Sequence, residues 1–170
     1  MDHKTLSENR RDCLAENRRA RFDYEILETI EAGIELRGFE VKSAKFGRMG
    51  IVGSYAVIRG GRPETAGRAS PSSKAGEAWL LNSQIPPYQK NNTPESYDPL
   101  RTRRLLLRKE EISKLIGRLK EKSLSLIPLQ VYLKRGFMKI ELGLGRPRKK
   151  YDKRELLKKR SVEREMRKEK

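Results

Sequence analysis

The stretch 31–43 constrains this chain more than any other, because a strand pattern, two glycines and a change of periodicity follow one another. Apolar and charged residues alternate through 34–37, as in a strand with one face buried. Gly33 indicates a bulge or kink in the strand, and Gly38 indicates a sharp turn where the chain leaves the strand. After Gly38 the apolar spacing suits a short helix or turn better than a continued strand.

Three acidic residues, Glu31, Glu35 and Glu40, stand in this stretch although the chain is basic almost everywhere else. One interpretation is a bulged strand with a solvated face. The other is a rigid corner that positions selected side chains for a partner. Glu31 and Glu40 could bind a metal, but the neighbouring Arg37 and Lys42 favour salt bridges instead.

The charge of the chain points to a polyanionic partner. The 170 residues carry a formal net charge of +17 and a pI of about 10.2, which is typical of proteins that bind nucleic acid and, less often, anionic membranes. The lone Cys13 excludes an intramolecular disulfide and a cysteine zinc cluster, and it favours a reducing cytoplasm. No apolar run is long enough to span a membrane, and the polar N-terminus does not resemble a signal peptide.

Alternating apolar residues predict a mainly β fold. We expect strands at 22–31, 54–59, 77–82, 123–134 and 137–144, with Pro128 at an edge or a bulge and a tight turn at 135–136. Segment 98–107, half basic and half apolar, leads into a helix at 108–122. These elements predict a small, closed, antiparallel barrel of the oligonucleotide-binding type with two or three helices.

The predicted core follows from the same periodicities. One face of the helix is apolar at the spacing of a packed amphipathic helix, and one face of each strand is expected to point into the barrel. The expected core residues are Ile34, Leu36, Val57, Trp79, Leu81, Ile112, Leu115, Ile116, Leu119, Leu129, Val131, Ile140 and Leu142.

Composition divides the chain into three parts. We expect residues 1–16 to form a mobile leader, 17–145 to form the barrel, hereafter the body, and 146–170 to form a basic tail. A long surface loop, rich in Gly, Ser and Pro, is expected at 62–76. The tail holds thirteen Lys and Arg against five Asp and Glu, so it is disordered or becomes helical on binding. A membrane-surface helix is the competing interpretation, disfavoured because the apolar stripe is thin and lacks Trp and Phe.

The residue types available argue against catalysis and against a bound cofactor or metal. The one histidine, His3, lies in the leader, and no nucleophile elbow or Walker loop occurs. The basic run 17–21 is either a solvated linker or a phosphate contact made by Arg18, Arg19 and Arg21. A binding module for RNA or DNA is the function class that remains. An RNA-processing enzyme and a general ribosome-surface protein are the alternatives.

An ordered set of motifs carries a resemblance to a known family. The motifs are Asn17-Arg18-Arg19-Ala20 with Tyr24, Glu31-Ala32-Gly33-Ile34-x-Leu36-x-Gly38-x-Glu40-Val41-Lys42-Ser43, Asp98-Pro99-x-Arg101-x-Arg103-x-Leu105-Leu106-Leu107 with Glu111-Ile112, and Lys149-x-x-Asp152-Lys153-Arg154. These motifs follow one another in the family's order and span most of residues 17–154. On them the chain resembles the small protein B family of SsrA-binding proteins, which work with transfer-messenger RNA in rescuing stalled ribosomes.

The resemblance implies a non-enzymatic adaptor, monomeric and cytoplasmic, whose body grips the tRNA-like part of transfer-messenger RNA. The implied RNA-facing residues are Asn17, Arg18, Arg19, Tyr24, Glu31, Lys42, Lys134 and Lys139. The tail is implied to reach the decoding centre and the empty mRNA channel of the ribosome. The implied tail residues are Arg148, Lys149, Tyr151, Asp152, Lys153 and Arg154.

Two features depart from the family pattern. The loop 62–76 is longer than the family usually has. Pro147 stands where the family commonly has a glycine, within a run that keeps its positive charge. A proline has a fixed φ angle, so we expect a stiffer connection between body and tail.

Overall fold

A computed structural model describes residues 13–59, 76–119, 124–149, 151–155, 158 and 166, and those of 151–155, 158 and 166 are helical. Within these ranges the fold is mainly β, with one seven-stranded antiparallel sheet. The strands are β1 Cys13–Glu16, β2 Tyr24–Ile34, β3 Tyr55–Arg59, β4 Glu77–Leu81, β5 Arg103–Leu106, β6 Ser125–Lys134 and β7 Phe137–Pro147. The helices are α1 Arg18–Asp23, α2 Gly38–Lys45 and α3 Lys109–Leu119, with a 3-10 turn at Lys90–Asn92.

The strands pair in a closed ring. Their order is β6-β3-β4-β5-β2-β7, and β7 pairs again with β6. β1 lies outside the ring and pairs with the end of β6 that β3 leaves open. The prediction of a mainly β fold whose antiparallel strands close into a ring is confirmed.

Three long strands, β2, β7 and β6, form the most continuous part of the ring. β6 and β7 are joined by Arg135 and Gly136, both with positive φ, as a two-residue hairpin requires. The predicted tight turn is confirmed. The β6–β7 register shifts between Pro128 and Gln130, so of the two alternatives predicted for this proline, an edge or a bulge, the structure has the bulge.

Gly33 has a different role from the predicted one. The irregularity in β2 lies between Ile26 and Glu28, not at Gly33. A Cβ atom on Gly33 would come within 3.1 Å of the Leu106 Cβ. The glycine therefore permits the close approach through which β2 pairs with both β5 and β7. The predicted helix after Gly38 is α2.

Most of the predicted core is buried, but the faces of β3 and β4 were predicted wrongly. Ala78 and Leu80 of β4 are buried, whereas Trp79 and Leu81 are half-buried, and Val57 is the cross-strand partner of Trp79. Apolar residues occupy both faces of β4, so alternation could not select the inner one. The buried predicted residues are Ile34, Ile112, Leu115, Leu129, Val131, Ile140 and Leu142, and the half-buried ones are Leu36, Ile116 and Leu119. Leu129, predicted inside the barrel, packs instead in a second cluster with Ala20 and Ile127.

The leader and the tail boundaries also differ from expectation. Cys13–Glu16, expected in the mobile leader, form β1 and pair with β6. β7 ends at Pro147, two residues into the expected tail. β5 was not predicted, because its four residues, Arg-Arg-Leu-Leu, do not alternate between polar and apolar side chains. Residues 1–12, with His3, and nearly all of the loop 62–76 lie outside the described residues. In the part of the chain that is described, no helix is long and apolar enough to cross a membrane.

Candidate RNA interface

Glu31 organises a polar cluster on the outer face of β2, β7 and β6. Its Oε2 accepts hydrogen bonds from the Tyr132 hydroxyl at 2.6 Å and the Lys134 Nζ at 2.7 Å. The Lys139 Nζ lies 3.8 Å from Oε1. The sheet register brings the groups together, because Lys139 of β7 lies opposite both Gly33 of β2 and Tyr132 of β6. We call these four side chains (Glu31, Tyr132, Lys134 and Lys139) the glutamate cluster.

Electrostatics keep Glu31 ionised. The hydrogen bond from Lys134, then that from Tyr132, lowers the pKa of Glu31, and the charge of Lys139 adds to this against the opposing effect of burial. Burial and the hydrogen bond to Glu31 raise the pKa of Tyr132. At neutral pH one carboxylate therefore holds two ammonium groups on a surface where Lys134 is 55% exposed. Glu31 is thus salt-bridged, but to Lys134 and Lys139 and not to the expected Arg37 and Lys42, and both lysine side chains remain partly exposed.

A groove continues from the glutamate cluster towards α3. Its volume is about 690 Å³. Glu31 and Lys139 of the sheet line it together with Arg108, Lys114 and Arg118. Sequence analysis missed these last three residues, although 114 and 118 are one helical turn apart on the polar face of α3. These cations are partly balanced, because Glu28 and Glu111 also line the groove and the Lys114 Nζ lies 3.0 Å from a carboxylate oxygen of Glu28.

Asn17 does not lie on the surface. It is buried, and its amide donates to the carbonyl oxygens of Ile51 at 3.3 Å and Pro128 at 3.1 Å. Its Oδ1 accepts from the Ala20 backbone N–H at 3.0 Å and caps α1. Both amide donors are used inside the protein. The expectation that Asn17 faces RNA is therefore corrected to a positioning role for α1.

α1 presents the arginines of the basic run to solvent. The side chains of Arg18 and Arg19 are 88% and 76% exposed. Each has one acidic neighbour, Glu16 at 2.9 Å for Arg18 and Asp23 at 3.1 Å for Arg19. Exposed pairs of this kind are weak and yield readily to a phosphate. Tyr24, half-buried, follows α1 and lies opposite Pro147 in the sheet.

Asp23 joins α1 to the start of the tail. Its Oδ1 accepts from the Lys153 Nζ at 2.6 Å, and its backbone oxygen accepts from the Arg148 N–H at 2.9 Å. The hydrogen bond from Lys153 lowers the pKa of Asp23, burial opposes it, and Arg19 adds to the lowering. The Lys153 ammonium also lies 5.9 Å from the centroid of the Phe22 ring. The first turn of the tail is thus fastened to the body.

The remaining predicted tail residues surround this contact. The Lys149 N–H donates to the Asp152 Oδ2 at 3.0 Å, and the Lys153 N–H donates to the Lys149 oxygen at 3.2 Å. Asp152 therefore caps the helical turn that contains Lys153. Tyr151 is 69% exposed and Arg154 is exposed, so both are accessible to a partner.

Glu40 is a buried structural charge in α2. Its Oε1 accepts from the Arg101 Nε at 2.9 Å and the Arg103 Nη2 at 3.0 Å, and also from the Tyr97 hydroxyl at 3.0 Å. Burial opposes ionisation, but the hydrogen bonds from Arg101 and the Arg37 backbone N–H, with the charge of Arg103, lower the pKa of Glu40. Glu40 is thus salt-bridged, but its partners are Arg101 and Arg103 and not the expected Arg37 and Lys42. Within the described residues, no group of three or more His, Cys, Asp or Glu could hold a metal ion.

Lys42 lies on the exposed side of α2, two residues from Glu40. It lines a small groove of about 340 Å³ together with Tyr88. The ion pairs of the buried Glu40 hold α2, the helix that carries Lys42, against the body.

Comparisons with known proteins agree over nearly the whole chain. The family model described as SmpB protein matches residues 14–66 and 69–170. An SsrA-binding protein of Synechococcus elongatus is 46% identical over 153 residues, which cover 90% of each chain. That of Gloeothece citriformis is 47% identical over 90% of this chain and 89% of its own. A chain in a solved structure described as "tmRNA-SmpB: a journey to the center of the bacterial ribosome" is similar at a TM-score of 0.58 and 44% identity, covering 79% of this chain and 84% of that one. This chain belongs to the SmpB family of SsrA-binding proteins.

Proposed function

We propose that this protein binds the tRNA-like part of transfer-messenger RNA and delivers it to stalled ribosomes for trans-translation. The observation that carries the proposal is the SmpB family match, which includes both the body and the tail. The relatives are named SsrA-binding proteins, and the similar solved structure concerns transfer-messenger RNA and SmpB in the bacterial ribosome. The net charge of +17 suits two RNA partners.

The body contacts transfer-messenger RNA through cations held in fixed positions. Lys134 and Lys139 bind phosphates, and Glu31 orients both of them. Exposed arginines of α1 and Lys42 of α2 extend the contact, and Tyr24 borders it. Asn17 contributes through the position of α1, because its own polar atoms are used internally.

The tail contacts the ribosome at the decoding centre and along the mRNA channel. Positively charged residues there meet ribosomal phosphates, and the exposed ring of Tyr151 stacks on an unpaired base. Asp152 supports the helical turn, and Asp23 of the body fixes its direction through Lys153. The residues proposed for this contact are Arg148, Lys149, Tyr151, Asp152, Lys153 and Arg154.

The protein acts as a monomeric, non-enzymatic adaptor without a cofactor, in the cytoplasm where ribosomes translate. Its named relatives are called binding proteins. An RNA-processing or RNA-modifying enzyme is the alternative of a different class. Incubation of the pure protein with RNA and magnesium separates the two, since sustained cleavage or modification would contradict the adaptor.

Sequencing the RNA that co-purifies with the protein from cells tests the proposal most directly. We expect one transfer-messenger species in strong excess. Bulk ribosomal RNA without that species would instead support a general ribosome-surface protein and would refute the proposal. A variant with Lys134 and Lys139 both replaced by Ala is the matched control, and it should lose most of the co-purifying RNA.

A further inference from the structure

Two aromatic rings lie against each other on the surface where α2 ends. The ring centroids of Phe46 and Tyr88 are 5.1 Å apart, and the ring planes are inclined by 31°. Phe46 is 66% exposed. Exposed apolar side chains that occur singly are common in proteins. Two touching rings among cations are instead the arrangement that stacks nucleobases in proteins that bind unpaired nucleotides. We call Phe46 and Tyr88 the ring pair.

The backbone beneath the ring pair is rigid. The buried Ser43 of α2 donates its hydroxyl to the Pro86 carbonyl oxygen at 2.6 Å. Gly50 and Gln84 exchange two backbone hydrogen bonds of 2.8 and 2.9 Å. These contacts fasten the end of α2 to the segment that carries Tyr88. A ligand that binds the rings therefore meets a surface already in place and loses little affinity to ordering.

Positive charge surrounds the ring pair. Lys42 and Phe46 are one helical turn apart, so their side chains share a face of α2. Lys45 and Arg48 are exposed on either side of Phe46 in the chain. The Arg48 guanidinium carbon lies 5.9 Å from the Tyr88 ring centroid, and its Nη1 donates to the Tyr88 carbonyl oxygen at 3.4 Å. The acid of this stretch, Glu40, is buried and ion-paired.

A groove beside the ring pair supplies groups that could read a base. It has a volume of about 340 Å³, at the small end for ligand pockets, and this size suits one nucleotide better than a duplex. Amide and hydroxyl groups can bond base edges, and the basic residues can bond a phosphate. The lining includes Arg37, Phe39, Lys42, Tyr88, Asn92 and Thr93.

We propose that Phe46 and Tyr88 form a stacking platform for one unpaired nucleotide in the tRNA-like part of transfer-messenger RNA. Lys42, Lys45 and Arg48 hold the phosphates on either side of that nucleotide. The inference rests on the proposed function, which assigns this RNA to the body. The ring pair belongs to the body, and Lys42, which is proposed to contact transfer-messenger RNA, lines the groove beside it. The nucleotide that stacks on the rings therefore belongs to the same RNA.

The test compares Phe46→Leu with Phe46→Tyr in the full-length protein. Leucine keeps apolar bulk but has no aromatic face, whereas tyrosine keeps the face. Affinity for a transcript of the tRNA-like part is measured over a range of salt concentrations. Phe46→Leu should bind roughly 5- to 100-fold more weakly with an unchanged salt slope, as the loss of one stack predicts. Phe46→Tyr should bind like the wild type. Arg48→Gln should reduce the salt slope by about 0.7–0.9, which is the contribution of one phosphate contact.

Chemical probing of the same transcript locates the nucleotide. One unpaired base should be protected by the wild type and reactive with Phe46→Leu, while thermal unfolding shows that both proteins are folded. Equal affinity and equal protection for the two proteins would overturn the platform. A defect seen on ribosomes alone would overturn the assignment to transfer-messenger RNA. Failure of the wild type to bind the transcript would instead refute the proposed function itself.

Discussion

Glu31 and Lys134 are 103 positions apart in the chain, yet the Oε2 of one lies 2.7 Å from the Nζ of the other on the outer face of the sheet. The same carboxylate holds the Tyr132 hydroxyl and approaches Lys139. An acidic residue thus lies at the centre of a surface proposed to bind a polyanion. It contributes there by fixing the positions of the cations around it.

Replacement of Glu31 by Ala should weaken binding of the tRNA-like RNA while leaving the salt slope nearly unchanged. The substitution removes no cation, but Lys134 and Lys139 lose the group that orients them. Glu31→Gln keeps an acceptor for Tyr132 and should fall between Ala and wild type. Titration of labelled RNA at several salt concentrations measures both quantities. Tighter binding by Glu31→Ala would show that the carboxylate only repels RNA.

Replacement of Lys134 by Ala should weaken binding and also reduce the salt slope. Each phosphate contact releases counterions when RNA binds. The loss of one contact therefore reduces the slope of log affinity against log salt concentration by about 0.7–0.9. Arg104→Ala is the matched control, because Arg104 is also a surface cation in an ion pair, 3.1 Å from Glu77. If Arg104→Ala changed the slope as much as Lys134→Ala, binding would depend on net charge and not on the glutamate cluster.

Truncation of Leu115 in α3 to Ala should lower the free energy of unfolding by about 2–5 kcal/mol. Leu115 is 2% exposed and belongs to the main core, so the substitution leaves a cavity. Ile116→Ala, at the next and only half-buried position, should cost less. Chemical denaturation of both variants measures the difference. A loss below 1 kcal/mol for Leu115 would contradict this packing.

Replacement of Glu40 by Ala should be among the most destabilising changes, at about 3–5 kcal/mol, because two arginines lose their buried partner. Since the pKa of Glu40 is lowered by folding, its contribution is present above the unfolded-state pKa and is lost as the pH falls through the folded-state value. Urea denaturation at neutral and acidic pH checks this. Wild type and Glu40→Ala should differ most at neutral pH, and an equal difference at every pH would exclude the linkage.

Periodicity predicted the helix face that contains Leu115 and the inner face of β7, because in each of these elements the apolar residues lie mainly on one side. In β6 both sides are apolar, and the register shift after Pro128 places Leu129 in a separate cluster with Ile127. It failed at Trp79, since the Ala-Trp-Leu-Leu run of β4 offers apolar residues to both faces and only the neighbouring strands decide between them. The sequence could not predict the burial of Asn17 either. Its cap to Ala20 is local, but its bonds to Ile51 and Pro128 depend on segments far away in the chain.

The candidate site was predicted in part. Motifs placed Glu31, Lys134 and Lys139 among the RNA-facing residues, and the structure brings these three together. The ring pair was not predicted, because Phe46 and Tyr88 are 42 positions apart and meet only through the packing of α2 against the segment after β4. No local pattern records such a contact.

The tail should be separable from the body in function. A chain ending at Arg148 keeps the backbone bond to Asp23 and all of the glutamate cluster, so it should bind transfer-messenger RNA nearly as well as the full protein. It lacks Tyr151 and Lys153 and should fail to support tagging on stalled ribosomes. RNA affinity and tagging are measured side by side. Tyr151→His, which keeps a flat ring, should tag better than Tyr151→Ala.

The contact between Asp23 and Lys153 makes a finer prediction about the same tail. Asp23→Asn removes the charge that fastens Lys153 and leaves the RNA-facing lysines of the body untouched. We expect normal affinity for the tRNA-like RNA but reduced tagging, because the first turn of the tail no longer leaves the body in a fixed direction. Lys153→Ala should give a larger tagging defect, since it removes a proposed ribosome contact as well as the anchor. If Asp23→Asn tagged as well as wild type while Lys153→Ala did not, Lys153 would act on the ribosome alone and the anchor would have no part in delivery.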